Sequence, residues 1–245
     1  MEKLVIIPTY NERENIAAII AAVFDLQAGY HILIIDDGSP DGTAAIVEDL
    51  MKQHEGQLFI EKRAGKLGLG TAYIHGFKWA LAKGYQYIFE MDADFSHSPS
   101  DLERLYAACN IIGADVAVGS RYVKGGRTEN WPLDRHIYSK GGAFYTKLIT
   151  WLPVNDPTAG FVCYKRKVLE TINLDEIKFV GYAFQIEMKF TAIKHGFNVV
   201  EIPIIFTDRT EGTSKMSPRI FREAFLGVIQ LKIGSWFRTY PKAKN

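Results

Sequence analysis

The sequence predicts an α/β fold in which a mostly parallel central sheet is covered by helices on both faces. In the first half of the chain, four short apolar runs alternate with helix-like segments: Leu4–Ile7, His31–Ile35, Leu58–Ile60 and Tyr87–Met91. Continuous apolar runs of this length, bounded by turn-forming residues, are typical of strands buried between two helix layers. Strands that alternate with helices are joined by crossovers, so we expect them to run parallel.

Four helices are predicted between and after these strands. The first carries apolar residues on one side between Ile16 and Phe24. We expect Asn11 to cap this helix, with Glu14 as its capping-box partner. The others are predicted over about Thr43–His54, from the glycine-rich turn 65–70 to Ala82, and from Ser98, which is followed by a proline suited to the first helical position.

The second half of the chain has a more mixed pattern. The apolar run Asn198–Phe206 contains Pro203, which lacks an N–H to donate, so we expect an edge strand or a bulge there. A polar, glycine-containing loop is predicted over Val123–Asp134. Two strands and three helices complete the chain, at Val116–Gly119 and Thr158–Tyr164 and at His136–Trp151, Tyr182–Lys194 and Pro218–Trp236.

Composition and charge exclude several classes of protein. The chain has 245 residues, of which 47% are hydrophobic and 23% charged, the mixture of a globular protein rather than of a disordered chain, a collagen or a coiled coil. Its net charge of +1 argues against a nucleic-acid partner. Thr207–Asn245, however, holds 8 Lys and Arg against 3 Asp and Glu, which favours an anionic partner or a membrane surface.

The sequence also indicates where the protein resides. We find no secretory signal before the first predicted strand and expect a cytoplasmic protein. No window reaches the roughly 18 apolar residues of a spanning helix, so the chain is expected to lie on a membrane rather than to cross one. Cys109 and Cys163 sit in apolar stretches and are predicted to be buried free thiols.

Polar clusters follow three of the predicted parallel strands at their carboxyl ends: Pro8–Glu12, Asp36–Asp41 and Asp92–His97. Ligands of such sheets bind outside the carboxyl ends of the strands, so the clusters are expected to converge on one cleft. Neither common phosphate-binding loop is present, because Gly68 and Gly70 lack the third glycine of the dinucleotide motif and the P-loop pattern is missing.

The acidic residues in these clusters have two interpretations each. A turn after a strand lets Asp92 and Asp94 approach one hard cation, and Mg²⁺ or Mn²⁺ often takes only one or two carboxylates plus substrate phosphates. The alternative is a solvated turn or a helix cap. Asp36 and Asp37 leave a similar choice, between a contact to a nucleobase or ribose and a plain turn.

Other polar residues are equally ambiguous by themselves. Arg121, Arg209 and Lys215 are candidate phosphate ligands, although a solvated loop also explains the last two. Gln185 and Glu187 lie on a predicted helix, and they either face an acceptor or belong to a solvated face of that helix. The histidines with no fixed spacing are interpreted as capping or surface residues: His97, His136 and His195.

Taken in order, these motifs resemble the family-two glycosyltransferases of the GT-A fold, and more narrowly their dolichyl- and polyprenyl-phosphate mannosyltransferases. The likeness covers nearly the whole chain, and its strength lies in the ordered set rather than in any one motif. The matching segments are VIIPTYNEREN (5–15), IIDDGSPDGT (34–43), GKLGLGTA (65–72), EMDADFSH (90–97), GSRY (119–122), DPTAGF (156–161), GYAFQIEM (181–188) and RTEGTSK (209–215).

The resemblance implies inverting transfer of mannose from GDP-mannose to a polyprenyl monophosphate, with Mg²⁺ or Mn²⁺ as cofactor. It implies that Asp92 and Asp94, with Ala93 between them, form the metal and diphosphate motif. The positions it aligns with the nucleotide are Pro8, Tyr10, Glu12, Ile35 and Asp37. Those it aligns with catalysis and phosphate contact are Asp94, Arg121, Arg209 and Lys215.

The resemblance further implies a GT-A catalytic domain over residues 1–206, with a Rossmann-like nucleotide-binding half, and an acceptor-side loop and amphipathic helix over 207–245. The basic C-terminal segment would rest on the cytoplasmic face of a membrane, with or without a membrane-anchoring partner protein. Two departures concern Ser96, where some relatives carry a glutamine that can join the metal, and the C-terminal membrane spans of some relatives, which this sequence lacks.

Three functions therefore stay open on the sequence. One is the mannosyl transfer just described. A second keeps the fold but transfers glucose, or uses another glycan as acceptor, in which case a carboxylate such as Asp156 or Glu187 would act as base. The third is a non-catalytic nucleotide-sugar sensor or scaffold.

Overall fold

A computed structural model describes residues 2–208 and 218–242 and contains a seven-stranded sheet. Its order is β3-β2-β1-β4-β7-β5-β8, and β7 is antiparallel to both of its neighbours while the other pairs are parallel. Two short strands, β6 and β9, form a separate parallel pair. The strands are β1 (Lys3–Thr9), β2 (Tyr30–Asp36), β3 (Leu58–Lys62), β4 (Tyr87–Glu90), β5 (Val116–Ser120), β6 (Arg127–Glu129), β7 (Val162–Lys165), β8 (Val199–Pro203) and β9 (Ile205–Thr207).

Helices cover both faces of the large sheet, as predicted. Leu4 and Ile6 of β1 belong to one buried cluster, which also contains residues of α3 and α7, and Val5 and Ile7 belong to another with residues of α1 and α4. The alternation of side chains along a strand thus feeds two cores. The helices are α1 (Ile16–Phe24), α2 (Thr43–Met51), α3 (Leu69–Lys83), α4 (Asp101–Asn110), α5 (Leu133–Thr150), α6 (Arg166–Thr171), α7 (Tyr182–Lys194) and α8 (Pro218–Gly234).

A third buried cluster joins α8 to the rest of the molecule. Ile186 and Phe190 of α7 pack there against Val228 and Leu231 of α8. Phe179, in the loop before α7, fills the space between helices at two glycines. A Cβ on Gly70 would lie 2.8 Å from the Phe179 carbonyl oxygen, and one on Gly227 would lie 2.7 Å from the Phe179 ring.

The predicted cap of the first helix is wrong. The helix begins only at Ile16, and Asn11 adopts a left-handed conformation with φ 59°. The reason is that this loop bonds to the next loop instead of capping α1, since the Asn11 N–H donates to Ser39 Oγ and the Glu12 N–H donates to Thr43 Oγ1, at 3.0 and 3.1 Å.

Two predicted strands change their limits. In the run 158–164, only the β7 residues form a strand. The run 198–206 divides into β8 and β9 on either side of Ile204. The Ile204 N–H donates to the Ser120 carbonyl oxygen at 3.0 Å. Pro203 ends β8, which is the edge strand, as predicted. The prediction missed β6 and α6. Cys109 and Cys163 are both buried free thiols, as predicted.

Candidate active site

The sheet register brings the predicted polar clusters to one edge. Thr9 of β1 lies opposite Asp36 of β2, while Ile6 of β1 pairs with Glu90, the last residue of β4. β2 and β3 lie on one side of β1, and β4 lies on the other. The direction in which successive strands are added to the sheet therefore reverses between β1 and β4. Such a switch point opens a crevice at the carboxyl ends of parallel strands. The register thus places the clusters at one edge of the sheet, and their convergence on one cleft stays a prediction.

Asp36 organises the loops beside this crevice. Its carboxylate accepts hydrogen bonds from Thr9 Oγ1 at 3.0 Å, from the Ser39 N–H at 2.9 Å and from Ser39 Oγ at 2.6 Å. Asp41 similarly accepts bonds from the Thr43 N–H and hydroxyl and from the Arg13 N–H. These two carboxylates therefore fix the backbone of the crevice.

Asp37 makes different contacts from its neighbour. It is buried and accepts a bond from Arg63 Nε at 2.6 Å, and Arg63 Nη1 in turn donates to Thr71 Oγ1 at 2.8 Å. The pair ties the end of β2 to the start of α3. Nearby, the Lys66 ammonium lies 4.8 Å from the centre of the Tyr10 ring.

The other predicted nucleotide positions differ in exposure. Pro8, near the end of β1, and Tyr10 and Glu12, just after it, are half-buried. Ile35, in contrast, is fully buried in the core. Its side chain supports the sheet, so a contact with a nucleotide at this position has to come from the backbone.

The Asp92-Ala93-Asp94 segment leaves the end of β4 in a sharp turn. Asp92 and Asp94 are half-buried while Ala93 is buried, and Asp94 Oδ1 accepts a bond from the Ser96 N–H at 3.1 Å. Phe95 adopts φ 57°, which turns the chain back immediately after the second aspartate. Ser96, the departure from some relatives, is buried.

These two carboxylates fit a hard divalent cation that substrate oxygens help to bind. Over residues 2–208 and 218–242, no group of three or more His, Cys, Asp or Glu side chains has the geometry of a metal site. A pair of carboxylates is nevertheless the donor set that Mg²⁺ or Mn²⁺ uses when phosphate oxygens and water complete its shell.

The interpretation of the three histidines as capping or surface residues is wrong for His97, whereas His195 is the C-cap residue of α7. His97 is buried, with its ring 4.9 Å from that of Phe161, and burial lowers its pKa to about 4, so the ring is neutral at pH 7. His195 is also buried, and its Nδ1 lies 2.7 Å from the Pro241 carbonyl oxygen. His136 is half-buried beside Trp131. At His97, packing against aromatic rings outweighs polarity.

Arg121 follows β5 and is oriented by Asp156. Its Nε and Nη2 donate to the two carboxylate oxygens of Asp156 at 2.7 and 2.6 Å, and Nη2 also lies 3.1 Å from Thr158 Oγ1. The guanidinium lies 5.4 Å from the ring centres of both Trp131 and Phe206. A guanidinium that is held by a bidentate carboxylate and lies near two aromatic rings has a fixed orientation.

Asp156 is positioned by a residue that the sequence did not single out. The Glu201 carboxylate accepts bonds from the Asp156 N–H at 2.9 Å and from both the backbone and side-chain N–H groups of Asn155 at 2.8 Å. Glu201 lies on the edge strand β8, which explains how β8 is connected to the site. Only the tertiary pairing of β5 with β8 reveals this contact.

Gln185 and Glu187 are structural residues, and neither lies on a solvated helix face. Gln185 is buried and donates to Glu90 Oε2 at 2.6 Å, while Lys189 Nζ donates to the Gln185 side-chain oxygen at 3.1 Å. Burial raises the pKa of Glu90 to about 8 and lowers that of Lys189 to about 8, with each charge opposing the shift of the other. Glu187 accepts bonds from the N–H groups of Lys178 and Phe179.

A cleft of about 390 Å³ opens beside Arg121. Its wall includes Tyr122 and, from α5, Lys140, Phe144 and Lys147. The predicted phosphate ligands Arg209 and Lys215 lie outside the described residues. Asp208, immediately before them, accepts a bond from Arg135 Nη1 at 2.6 Å.

Fold and site together define an α/β protein with a two-carboxylate motif at the switch point of a mostly parallel sheet. The sequence matches the model of glycosyl transferase family 2 over residues 4–172, and the chain belongs to this family. Several solved glycosyltransferases share its GT-A fold. They include a mannosyltransferase from Pyrobaculum calidifontis in complex with GDP-Man and Mn²⁺ (TM-score 0.56, 15% identity, 93% of this chain and 69% of that one). The TarS protein of S. aureus in complex with UDP-GlcNAc is another (TM-score 0.64, 16% identity, 98% and 67%). The predicted fold is confirmed.

Two curated relatives are much more similar in sequence. A polyprenol monophosphomannose synthase of Mycolicibacterium smegmatis is 47% identical over 227 residues, which cover 93% of this chain and 85% of the relative. An undecaprenyl-phosphate mannosyltransferase of Micrococcus luteus is 41% identical over 228 residues, which cover 93% of each. Both names agree with the enzyme class and the acceptor class that the sequence predicts.

Proposed function

We propose that this protein transfers mannose from GDP-mannose to a polyprenyl monophosphate with inversion at the anomeric carbon. The observation that carries the proposal is sequence identity. The chain is 47% and 41% identical to two enzymes that are named for mannosyl transfer to polyprenyl phosphates. The fold alone would not carry it, because one fold serves many functions.

In this proposal the donor occupies the crevice between β1 and β4. Pro8, Tyr10 and Glu12 line the nucleotide, and Asp37 contacts the ribose or base beside the backbone of Ile35. The network around Asp36 supports this assignment, because it holds both loops before a ligand arrives. A preformed crevice reduces the entropic cost of binding.

Asp92 and Asp94, with Ala93 between them, would hold Mg²⁺ or Mn²⁺ beside the diphosphate end of the donor. When bound, the cation would neutralise the diphosphate and so improve GDP as a leaving group. The turn at Phe95 and the Ser96 N–H hold the Asp94 carboxylate in one orientation, which supports its assignment as a catalytic residue.

The acceptor is a phosphate monoester, and it carries its own nucleophile. With a second pKa near 6, the monoester is largely dianionic at pH 7 and needs little help from a base. Asp156 is fully buried in its pair with Arg121, and Glu187 holds two backbone N–H groups. These contacts disfavour the glycan-acceptor alternative, in which one of the two would act as base.

Arg121, Arg209 and Lys215 orient the acceptor phosphate in line with the bond that breaks. Positioning of this kind supplies much of the rate in a displacement that requires few proton transfers. The basic C-terminal segment rests on the cytoplasmic face of the membrane that contains the lipid, with or without an anchoring partner protein. Among the residues that the structure describes, there is no helix with the length and hydropathy of a membrane span.

Transfer of radiolabelled sugar into an organic-extractable, acid-labile product tests the proposal. Purified protein, polyprenyl phosphate and Mg²⁺ or Mn²⁺ are incubated with GDP-mannose or with UDP-glucose in parallel. We expect lipid product with GDP-mannose alone. Product with UDP-glucose alone would change the sugar, and metal-dependent nucleotide binding without product would favour another acceptor or the sensor.

A further inference from the structure

Lys189 of α7 is a lysine whose side chain is fully buried. Lysines are almost never buried in this way unless the ammonium is paired, because a charge loses its hydration in the interior. An ammonium has three N–H donors, and three oxygens accept from this one. They are the Ala159 carbonyl oxygen at 2.7 Å, the Gln185 carbonyl oxygen at 3.2 Å and the Gln185 side-chain oxygen at 3.1 Å. The ammonium is therefore fixed between α7 and the loop before β7.

On one side, Lys189 is connected to the strand that leads to Asp92. The Gln185 side-chain oxygen accepts from Lys189, while Gln185 Nε2 donates to Glu90 Oε2 at 2.6 Å, so the amide has one orientation. Glu90 is fully buried and is the last residue of β4, where it pairs with residues of both β1 and β7. The sheet thus holds Glu90 from both sides, two residues before Asp92.

On the other side, Lys189 supports the turn that orients Arg121. The Ala159 carbonyl oxygen belongs to this turn, which closes when the Ala159 N–H donates to the Asp156 carbonyl oxygen at 3.3 Å. The side chains of Asp156 and Thr158, in the same turn, accept from the Arg121 guanidinium. A shift of the Ala159 carbonyl would therefore move the groups that hold Arg121.

The charges around Lys189 agree with a place between these two parts of the site. Burial lowers the pKa of Lys189, and the negative charges of Glu90 and Asp156 both oppose this effect. The ammonium is thus attracted by one carboxylate at the end of β4 and by another beneath Arg121. Such attraction is strong where water is excluded.

We propose that Lys189 is a positioning residue that holds the turn beneath Arg121 at a fixed distance from the Asp92-Ala93-Asp94 segment. The inference rests on the proposed function for what the two parts bind, namely the diphosphate of the donor and the phosphate of the acceptor. In-line displacement requires both groups in register, and a misplacement of about 1 Å costs about 100-fold in rate. A buried pair with only a structural role is different, because apolar residues of similar volume can replace it.

The double variant Glu90→Gln/Lys189→Met tests the inference without leaving a charge of this pair buried alone. Gln185 can still donate to an amide oxygen at position 90, and methionine fills most of the volume of the lysine stem. The Ala159 carbonyl oxygen, in contrast, loses the ammonium that donates to it. Lys194→Met, in the last turn of the same helix, is the control.

Three properties are measured: the NMR signal of the Arg121 Nε–H, assigned by its loss in Arg121→Lys, the Kd for GDP with Mn²⁺, and kcat for mannose transfer to a short-chain polyprenyl phosphate. We expect the Arg121 signal of the double variant to shift or broaden, because its bond to Asp156 is displaced. Its kcat should fall about tenfold, while the Kd for GDP stays within about twofold and the unfolding midpoint stays near that of the wild type. The control should match the wild type in all of these.

An unchanged Arg121 signal or an unchanged kcat in the folded double variant would overturn the proposal, and so would an equal loss of GDP affinity and kcat. If the double variant does not fold, Glu90→Gln alone decides, because it keeps all three acceptors of Lys189. This variant should retain the Arg121 signal and kcat, and loss of either would overturn the proposal. A wild type that transfers no mannose would refute the proposed function, whereas the Arg121 signal would still decide whether Lys189 positions the turn.

Discussion

Arg121 and Asp156 form a bidentate ion pair in which the carboxylate is fully buried and both of its oxygens accept from the guanidinium. Asp156 is itself held by Glu201 through the backbone. The guanidinium at the cleft is therefore oriented by a chain of contacts that reaches the edge of the sheet.

Asp156→Asn should disorient Arg121 and leave its charge uncompensated. Removing one partner of a buried ion pair costs about 3–5 kcal/mol, so we expect a clear fall in the unfolding midpoint. Transfer should fall about 100-fold, because a displaced positioning group costs rate more than donor affinity. Thermal unfolding, GDP binding and transfer are measured together. Asp115→Asn, at a carboxylate paired with Lys167, is the control. Equal loss of GDP affinity and of transfer rate in the Asp156 variant would contradict the role of Asp156 in positioning Arg121.

Asp94→Asn should abolish transfer while the protein stays folded. The carboxylate is half-buried and contacts the Ser96 N–H, a bond that an amide oxygen can also accept. Loss of charge, in contrast, removes a ligand that a hard cation requires. Transfer with Mg²⁺ and with Mn²⁺ is compared with that of Asp49→Asn, at an exposed ion pair. Wild-type turnover by the Asp94 variant would refute the metal assignment.

Chelation by EDTA should reduce transfer by the wild-type protein to background. Added Mg²⁺ or Mn²⁺ should restore it, because two carboxylates alone bind a divalent cation weakly and exchange it. The relative activity at equal concentrations identifies the preferred ion. Full transfer after exhaustive chelation would contradict a metal-dependent mechanism.

Arg209→Ala and Lys215→Ala should damage use of the acceptor more than binding of the nucleotide. The resemblance aligns both residues with phosphate-contacting positions, and a lost charge-assisted contact to a dianion costs about 1.5–3 kcal/mol. We expect the KM for short-chain polyprenyl phosphate to rise while the Kd for GDP changes little. Lys244→Ala, in the same basic segment, is the control, and equal losses of donor and acceptor binding would refute the role.

Gly70→Ala should destabilise the fold. Its Cβ would lie 2.8 Å from the Phe179 carbonyl oxygen and from the Phe184 ring, and overpacking of this kind costs about 1–3 kcal/mol. Gly142→Ala is the matched control, because it is helical with open space around the new Cβ and should stabilise by up to about 1 kcal/mol. Urea unfolding compares them, and an unchanged midpoint for Gly70→Ala would show that Phe179 moves freely.

Local sequence patterns predict the first half of the chain well and the second half less well. Runs such as Leu4–Ile7 are strands because both faces are buried, and that requirement is visible in the residues themselves. The placement of Asp37 and Asp92 at the same edge of the sheet likewise follows from the parallel pairing of β2 and β4 with β1 between them. Family resemblance, rather than any spacing, supplied the expected substrate.

Residues whose environment depends on distant strands could not be interpreted locally. Gln185 looks like a solvated helix residue until β4 places Glu90 2.6 Å from it. His97 appears polar in the sequence, yet Phe161 and Phe206 enclose its ring from separate parts of the chain. Asn11 is a residue type that often caps helices, but its backbone N–H donates to Ser39 in the neighbouring loop instead.

Phe179, which lies between Gly70 and Gly227, affects how the molecule unfolds. Because Phe179 contacts both α3 and α8, and α8 also covers Ile186 and Phe190 of α7, detaching the C-terminal helix would expose part of the third buried cluster and one side of Phe179. The final helix is therefore not an appendage that can be trimmed. Thermal melting should follow a single cooperative transition, and a chain shortened before Pro218 should aggregate rather than persist as a smaller native domain.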